Sequence, residues 1–241
     1  MRRLARFVLW TIGLAFAAVF LFEGYFFAMT GWYAHADPSS TAFMKSQMEI
    51  VREKNPKATM QHQWVPYARI SENLKRAVIT SEDARFAEHG GVDWDAVSKA
   101  YENNERVKDA KGARAKRPAR IHGGSTITQQ LAKNLFLSGE RSYLRKGQEL
   151  VIAYMLEFWM TKQRILEIYL NVVEWGNGVF GAEAAARHYF GVSAAQLSAS
   201  QASELAVMLP NPRFYDARRG SPYLANRSAV IERWLGDAEL P

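Results

Sequence analysis

Residues 7 to 22 read FVLWTIGLAFAAVFLF, a run with no charge and a single hydroxyl. Apart from Glu23, the stretch stays uncharged through Trp32 and Tyr33. About 20 such residues in a helix cross the hydrocarbon of a bilayer, and Trp and Tyr gather where it meets water. Arg2, Arg3 and Arg6 precede the run and orient its start toward the cytoplasm. Ala34-His35-Ala36 would suit cleavage of a signal peptide, but the apolar stretch is long for a leader. The expected division is therefore residues 1–36 as a cytoplasmic tip and transmembrane anchor, and residues 37–241 as one domain in the periplasm or outside the cell.

No second spanning segment follows, and regular strand alternation is scarce. Ile165, Ile168, Tyr169 and Val172 recur at i, i+3, i+4, i+7, the stripe of an amphipathic helix. Leu131 with Leu135, AEAAARHYF, and LSASQASELAVML before Pro210 and Pro212 also read as helical. The body is expected to be mainly α. Residues 105–120, ERVKDAKGARAKRPAR, hold seven basic and two acidic side chains with Gly and Pro. With no apolar face to bury, about 105–121 is expected to be a mobile basic loop. It lacks the interleaved aromatics of a nucleic-acid arm, and nucleic acid is not an expected partner. The chain carries 31 Lys+Arg against 24 Asp+Glu, a net charge of +7, which suits an anionic substrate or a membrane surface. It has no cysteine, so disulfides and thiolate metal sites are excluded.

Gly176, Gly178 and Gly181 spell G-x-G-x-x-G, the outline of a dinucleotide-binding turn. That turn must follow a strand in a βαβ unit, whereas these glycines follow a helical stripe. They read instead as a helix–helix turn. S-x-x-K, H-E-x-x-H and Walker A patterns are absent.

Four polar clusters remain, the last being KQRILEIYLN, which carries Lys162, Arg164, Glu167 and Asn171 on a helix that is apolar on its other side. SEDARFAEHG, residues 81–90, gathers Glu82, Asp83, Arg85, Phe86 and His89. GGSTITQQLAKN, residues 123–134, follows two glycines with Ser125, Thr126, Thr128, Gln129 and Gln130, and a helix would place Lys133 on the face of the glutamines. RSYLRKGQE then brings Arg141, Arg145, Lys146 and a second carboxylate, Glu149. Each cluster alone could be a solvated helix face. Taken together they suggest more. A glutamate in a partly apolar cleft holds a raised pKa and can move a proton at a sugar hydroxyl. Cations around a second carboxylate can neutralise a departing pyrophosphate. These parts suit glycosyl transfer from a diphosphate-linked donor.

With WVPYARISENLKRAVIT before the first cluster, and KQRILEIYLNVVEWGNGVFG and AEAAARHYFG after the third, the motifs run in order from about Trp64 to Pro212. In this the chain resembles the bacterial peptidoglycan glycosyltransferases, found as a domain of class A penicillin-binding proteins and as stand-alone, membrane-anchored enzymes. The chain ends soon after these motifs, as expected of the monofunctional form. The resemblance implies a lysozyme-like helical domain, preceded by one N-terminal transmembrane helix, that polymerises lipid II into β-1,4-linked glycan strands and releases undecaprenyl diphosphate. It implies catalytic roles for Glu82, which would deprotonate the acceptor 4-hydroxyl, and Glu149, which would assist the leaving pyrophosphate. Gly124, Ser125, Thr126, Gln129, Gln130, Lys133, Asn134, Arg141, Arg145 and Lys146 would line the substrate site, with Asp83, Phe86 and His89 shaping it. No cofactor is required by the residues, although a magnesium or manganese ion beside Glu149 is compatible with the resemblance. Expected partners are lipid II, the growing lipid-linked strand, the bacterial inner membrane, and proteins of wall synthesis or division. Two rivals share parts of this pattern: a lysozyme-like enzyme that cleaves glycans, and a non-catalytic membrane scaffold. A hydrolase of neutral linkages has no pyrophosphate for the cations to meet, and a scaffold has no need of Glu82 and Glu149.

Overall fold

The computed structural model describes residues 2–114, 124–137 and 142–241. Eleven α-helices lie among them: α1 (Arg2–Tyr33), α2 (Ala42–Lys54), α3 (Glu72–Glu82), α4 (Trp94–Arg114), α5 (Ile127–Phe136), α6 (Tyr143–Trp159), α7 (Lys162–Val172), α8 (Ala182–Phe190), α9 (Ala199–Met208), α10 (Pro212–Asp216) and α11 (Pro222–Trp234). Three short strands accompany them: β1 (Gln61–His62), β2 (Glu174–Gly176) and β3 (Val179–Phe180). The body is mainly α, as the periodicity predicts.

α1 is one apolar helix, and Arg3–Tyr33 is long enough to cross a membrane. At 1.5 Å per residue it is roughly 45 Å long, more than the ~30 Å of hydrocarbon, so its last turns are free to dock on the body. They do so. Phe26 is buried edge-on against Phe136 of α5, Gly31 abuts the indole of Trp159, and Glu23 accepts a hydrogen bond from Gln148 of α6 at 3.1 Å.

The helix starts follow local chemistry. Ser71, Thr126, Ser142, Thr161, Ser198 and Ser221 each cap a helix through the side-chain oxygen, and Thr126 and Ser198 form capping boxes with Gln129 and Gln201. α7 lies at the centre of the core. Ile165, Leu166, Ile168, Tyr169, Leu170 and Val172 are fully buried, a broad apolar face opposite Arg164 and Glu167. Its Asn171 is buried as well and pairs with both backbone groups of Val65 at 2.9 Å, while Glu167 accepts from the Tyr67 amide at 2.7 Å. Around α7, α5 packs between it and α6, and α3 packs on α9, which in turn packs on α11.

Two expectations are corrected. The glycine-rich stretch is a hairpin and not a helix–helix turn: β2 pairs antiparallel with β3, and β1 joins β3 in parallel with Gln61 opposite Val179. Gly178 and Gly181 take φ of +74° and +84°, which side-chain-bearing residues resist, and a Cβ at Gly181 would lie 2.5 Å from the Asn171 carbonyl oxygen. Alternation could not reveal strands of two or three residues, and β1 lies over a hundred positions from its partner β3. The expected loop at 105–121 begins as helix, since α4 continues to Arg114. A helix already nucleated at Trp94 gains a hydrogen bond with each added residue, and Glu, Arg, Lys and Ala favour this without an apolar face. Residues 115–121 lie outside the described residues.

Candidate active site

The end of α3, the start of α5 and the first half of α6 converge. Apolar positions of α3 (Leu74, Ala77, Val78, Ile79) anchor that helix in the core and bring Glu82 to its last position. The Gln130 side-chain amide donates to the Glu82 carboxylate at 2.8 Å, and the buried Tyr169 hydroxyl donates to the Gln130 carbonyl oxygen at 2.9 Å. Gln130 is thereby fixed with its NH₂ toward Glu82. Burial pushes the Glu82 carboxyl above the usual glutamate range, an effect partly offset by the Gln130 hydrogen bond and the charge of Lys133. Beside it opens a cleft of about 290 Å³, lined by Ser81, Glu82, Asp83, Lys99, Ser125 and Thr126 among others.

Asp83 is buried in the wall of this cleft. It accepts from the backbone amide of Ile127 at 3.0 Å and pairs with His89 at 2.9 Å, so it ties the turn after α3 to the N-terminus of α5. Phe86 is fully buried beneath the Lys162 ammonium, 4.5 Å from the ring centroid. Thr126 donates to the Gly91 carbonyl at 2.6 Å while capping α5, and Gln129 uses its carbonyl oxygen in the same capping box. Gly124 has its Cβ space filled by the α4 backbone, 3.1 Å from Val97 Cα, so the close approach it permits is to protein. Asn134 is buried, and its carbonyl oxygen has no partner among the described residues. Asp83, Phe86, His89, Thr126 and Gln129 thus brace the site through contacts within the protein, while Asp83 and Thr126 also border the cleft.

Glu149 is buried under two cations. Arg145 reaches it at 3.0 Å, and Lys146 pairs with its other oxygen while also donating to Ser125 at 3.0 Å. Lys133 joins the two carboxylates electrostatically. Burial lowers its pKa, Glu149 and Glu82 raise it, and Arg145 and Lys146 lower it further. Arg145 and Lys146 border an open cavity of about 470 Å³ with Ser142 and Tyr143. Arg141 lies outside the described residues. Both oxygens of Glu149 are taken by cations, and among the described residues no group of three His, Asp or Glu side chains could hold a metal ion. This donor set does not fit a divalent ion, and the cations already supply positive charge there.

Sequence reading missed Glu157. It accepts from Thr128 at 2.6 Å and from Lys162 at 2.7 Å, so it binds α5 and α7 to α6. Its only signal is its spacing, one turn and a residue before Lys162, which does not predict the contact with Thr128. Tyr169 was legible only as a core position, and its hydroxyl contact with Gln130 depends on helix packing.

A transglycosylase family model matches residues 47–234. A curated protein from Janthinobacterium sp. (strain Marseille), named biosynthetic peptidoglycan transglycosylase, is 60% identical over 241 residues, covering 100% of both chains. Proteins of the same name from Bordetella pertussis and Thiobacillus denitrificans are 58% and 50% identical, over 92% and 100% of this chain and 89% and 100% of theirs. With its lysozyme-like helical domain and apolar N-terminal helix, this chain belongs to the peptidoglycan transglycosylase family of glycosyltransferases.

Proposed function

We propose that the chain polymerises lipid II into β-1,4-linked glycan strands, with its catalytic domain held outside the cytoplasm by α1 in the inner membrane. Glu82 takes the proton of the acceptor 4-hydroxyl as that oxygen forms a bond to the donor's anomeric carbon. The bond from that carbon to the diphosphate breaks, and undecaprenyl diphosphate leaves with the electron pair. Lys133, Arg145 and Lys146 meet the charge that grows on the phosphate oxygens, and Glu149 holds Arg145 and Lys146 in place for it. A base works best with a pKa near the operating pH, and burial moves Glu82 in that direction.

The observation that carries this reading is the pairing of a desolvated carboxylate with a separate cationic cluster, linked through Lys133. A glycan-cleaving enzyme would use Glu82 as an acid and would have no leaving diphosphate for those cations. The test is incubation of the purified protein with lipid II. Glycan polymer with release of undecaprenyl diphosphate is expected; cleavage of preformed strands without polymer would favour the lytic reading. Reporter fusions placed after Ala36 should be active only beyond the cytoplasm, and mature protein beginning at Asp37 would show α1 to be a cleaved leader. Proteins of wall synthesis or division are the partners proposed for the membrane-bound enzyme.

A further inference from the structure

A second groove adjoins the Glu82 cleft. It encloses about 270 Å³ and is lined by Thr80, Ala84, Trp234, Asp237 and Ala238. Thr80 and Ala84 also line the Glu82 cleft, so the two spaces meet along the end of α3. Trp234 leaves 56% of its surface exposed, although it ends a helix firmly seated on α3 and α9. The wall beyond it is fixed too: Leu235 and Ala238 are buried, and Arg76 donates to the Ala238 carbonyl at 2.6 Å. What sets this indole apart is its place: it forms the fixed wall of a groove that adjoins the Glu82 cleft, where an apolar face can meet a ligand.

Charge tells the two openings apart. The space beside Glu149 is bordered by Arg145 and Lys146, whereas the lining of the Trp234 groove contains no basic side chain and one carboxylate, Asp237. A diphosphate would be repelled by Asp237. A neutral sugar would not: its C–H face suits an indole, and its hydroxyl and acetamido N–H groups can donate to a carboxylate.

We propose that the groove of Trp234, Asp237 and Ala238 is a glycan subsite that takes an uncharged N-acetylhexosamine unit of the strand as it extends away from Glu82. This rests on the polymerase reading, because only a chain longer than the reacting sugars needs such a platform. It gives the enzyme a hold on the strand that is independent of the diphosphate.

The test uses the full chain in detergent and two probes: chitohexaose, a neutral β-1,4-linked N-acetylglucosamine hexamer, and inorganic pyrophosphate. Trp234→Ala should weaken chitohexaose binding about three- to tenfold, the size of a lost aromatic contact, and leave pyrophosphate binding unchanged. With lipid II it should shorten the strands, and Trp234→Phe should restore most of both effects. Wild-type protein that polymerises lipid II but either ignores chitohexaose or binds it unaltered by Trp234→Ala overturns the subsite and leaves the polymerase reading intact. Chitohexaose binding that depends on Trp234 in a protein that makes no polymer overturns the polymerase reading instead. If Trp234→Ala misfolds and loses both probes equally, Asp237→Ala decides: weaker chitohexaose binding with unchanged pyrophosphate binding supports the subsite, and unchanged chitohexaose binding overturns it.

Discussion

The two glutamates of the site are held in contrasting ways. Glu82 receives one neutral hydrogen bond from Gln130, and its charge is opposed by burial. Glu149 is buried but lies under Arg145 and Lys146, which satisfy both its oxygens. Burial without a cationic partner raises the proton affinity of Glu82, the property the proposed base needs, whereas Glu149 is placed to hold Arg145 and Lys146. Lys133 lies in the field of both and so couples the two halves.

The strongest way to break this contrast is Glu82→Gln. Polymerisation measured on lipid II should fall at least ~10²-fold, the low end for loss of a general base, while Glu149→Gln should raise KM for lipid II as well as lower kcat. Equal kinetic signatures would abolish the distinction. Glu82→Gln should also stabilise the fold at neutral pH. A carboxyl with a raised folded pKa binds its proton more tightly in the folded state, so its favourable contribution is present at low pH and lost as pH rises through that pKa. Thermal melting at pH 5 and pH 8 should show a larger gain over wild type at the higher value.

Next in size is Lys133→Ala. Loss of a charge that acts mainly in the transition state should lower kcat about 10²–10³-fold with a smaller change in KM. A change confined to KM would place Lys133 in ground-state binding only.

Gln130→Leu sharpens the Glu82 side. Removing a donor to the ionised carboxyl raises its pKa further, so the acid limb of the pH–rate profile should move to higher pH, with activity near wild type on the alkaline side. An unmoved limb would separate that ionisation from Glu82.

Lys146→Ala should have the smallest effect. Its side chain is 45% exposed against 18% for Arg145, so solvent and salt screen it, and a loss of tenfold or less is expected. If Lys146→Ala costs as much as Arg145→Ala under steady-state assay, burial is not what ranks these cations.

The helices at 127–136, 162–172, 182–190 and 199–208 were legible in the sequence because their composition and apolar spacing act within one or two turns. The apolar run before Trp32 was legible for the same local reason. The strands were not, since each is only two or three residues long and β1 pairs with β3 across more than a hundred residues. Nor were the helical turns at 105–114, whose composition resembles that of a loop. Residue types and spacing were enough to nominate Glu82, Glu149 and their cations. Only the tertiary structure decided which polar residues face a cleft and which face the protein. Asp83 and Gln129 complete the start of α5, Glu157 joins three helices, and Gln130 is oriented by a tyrosine from α7. The physical reason is that a side chain's burial and partners depend on what packs against its element, and local sequence does not encode the approach of a distant helix.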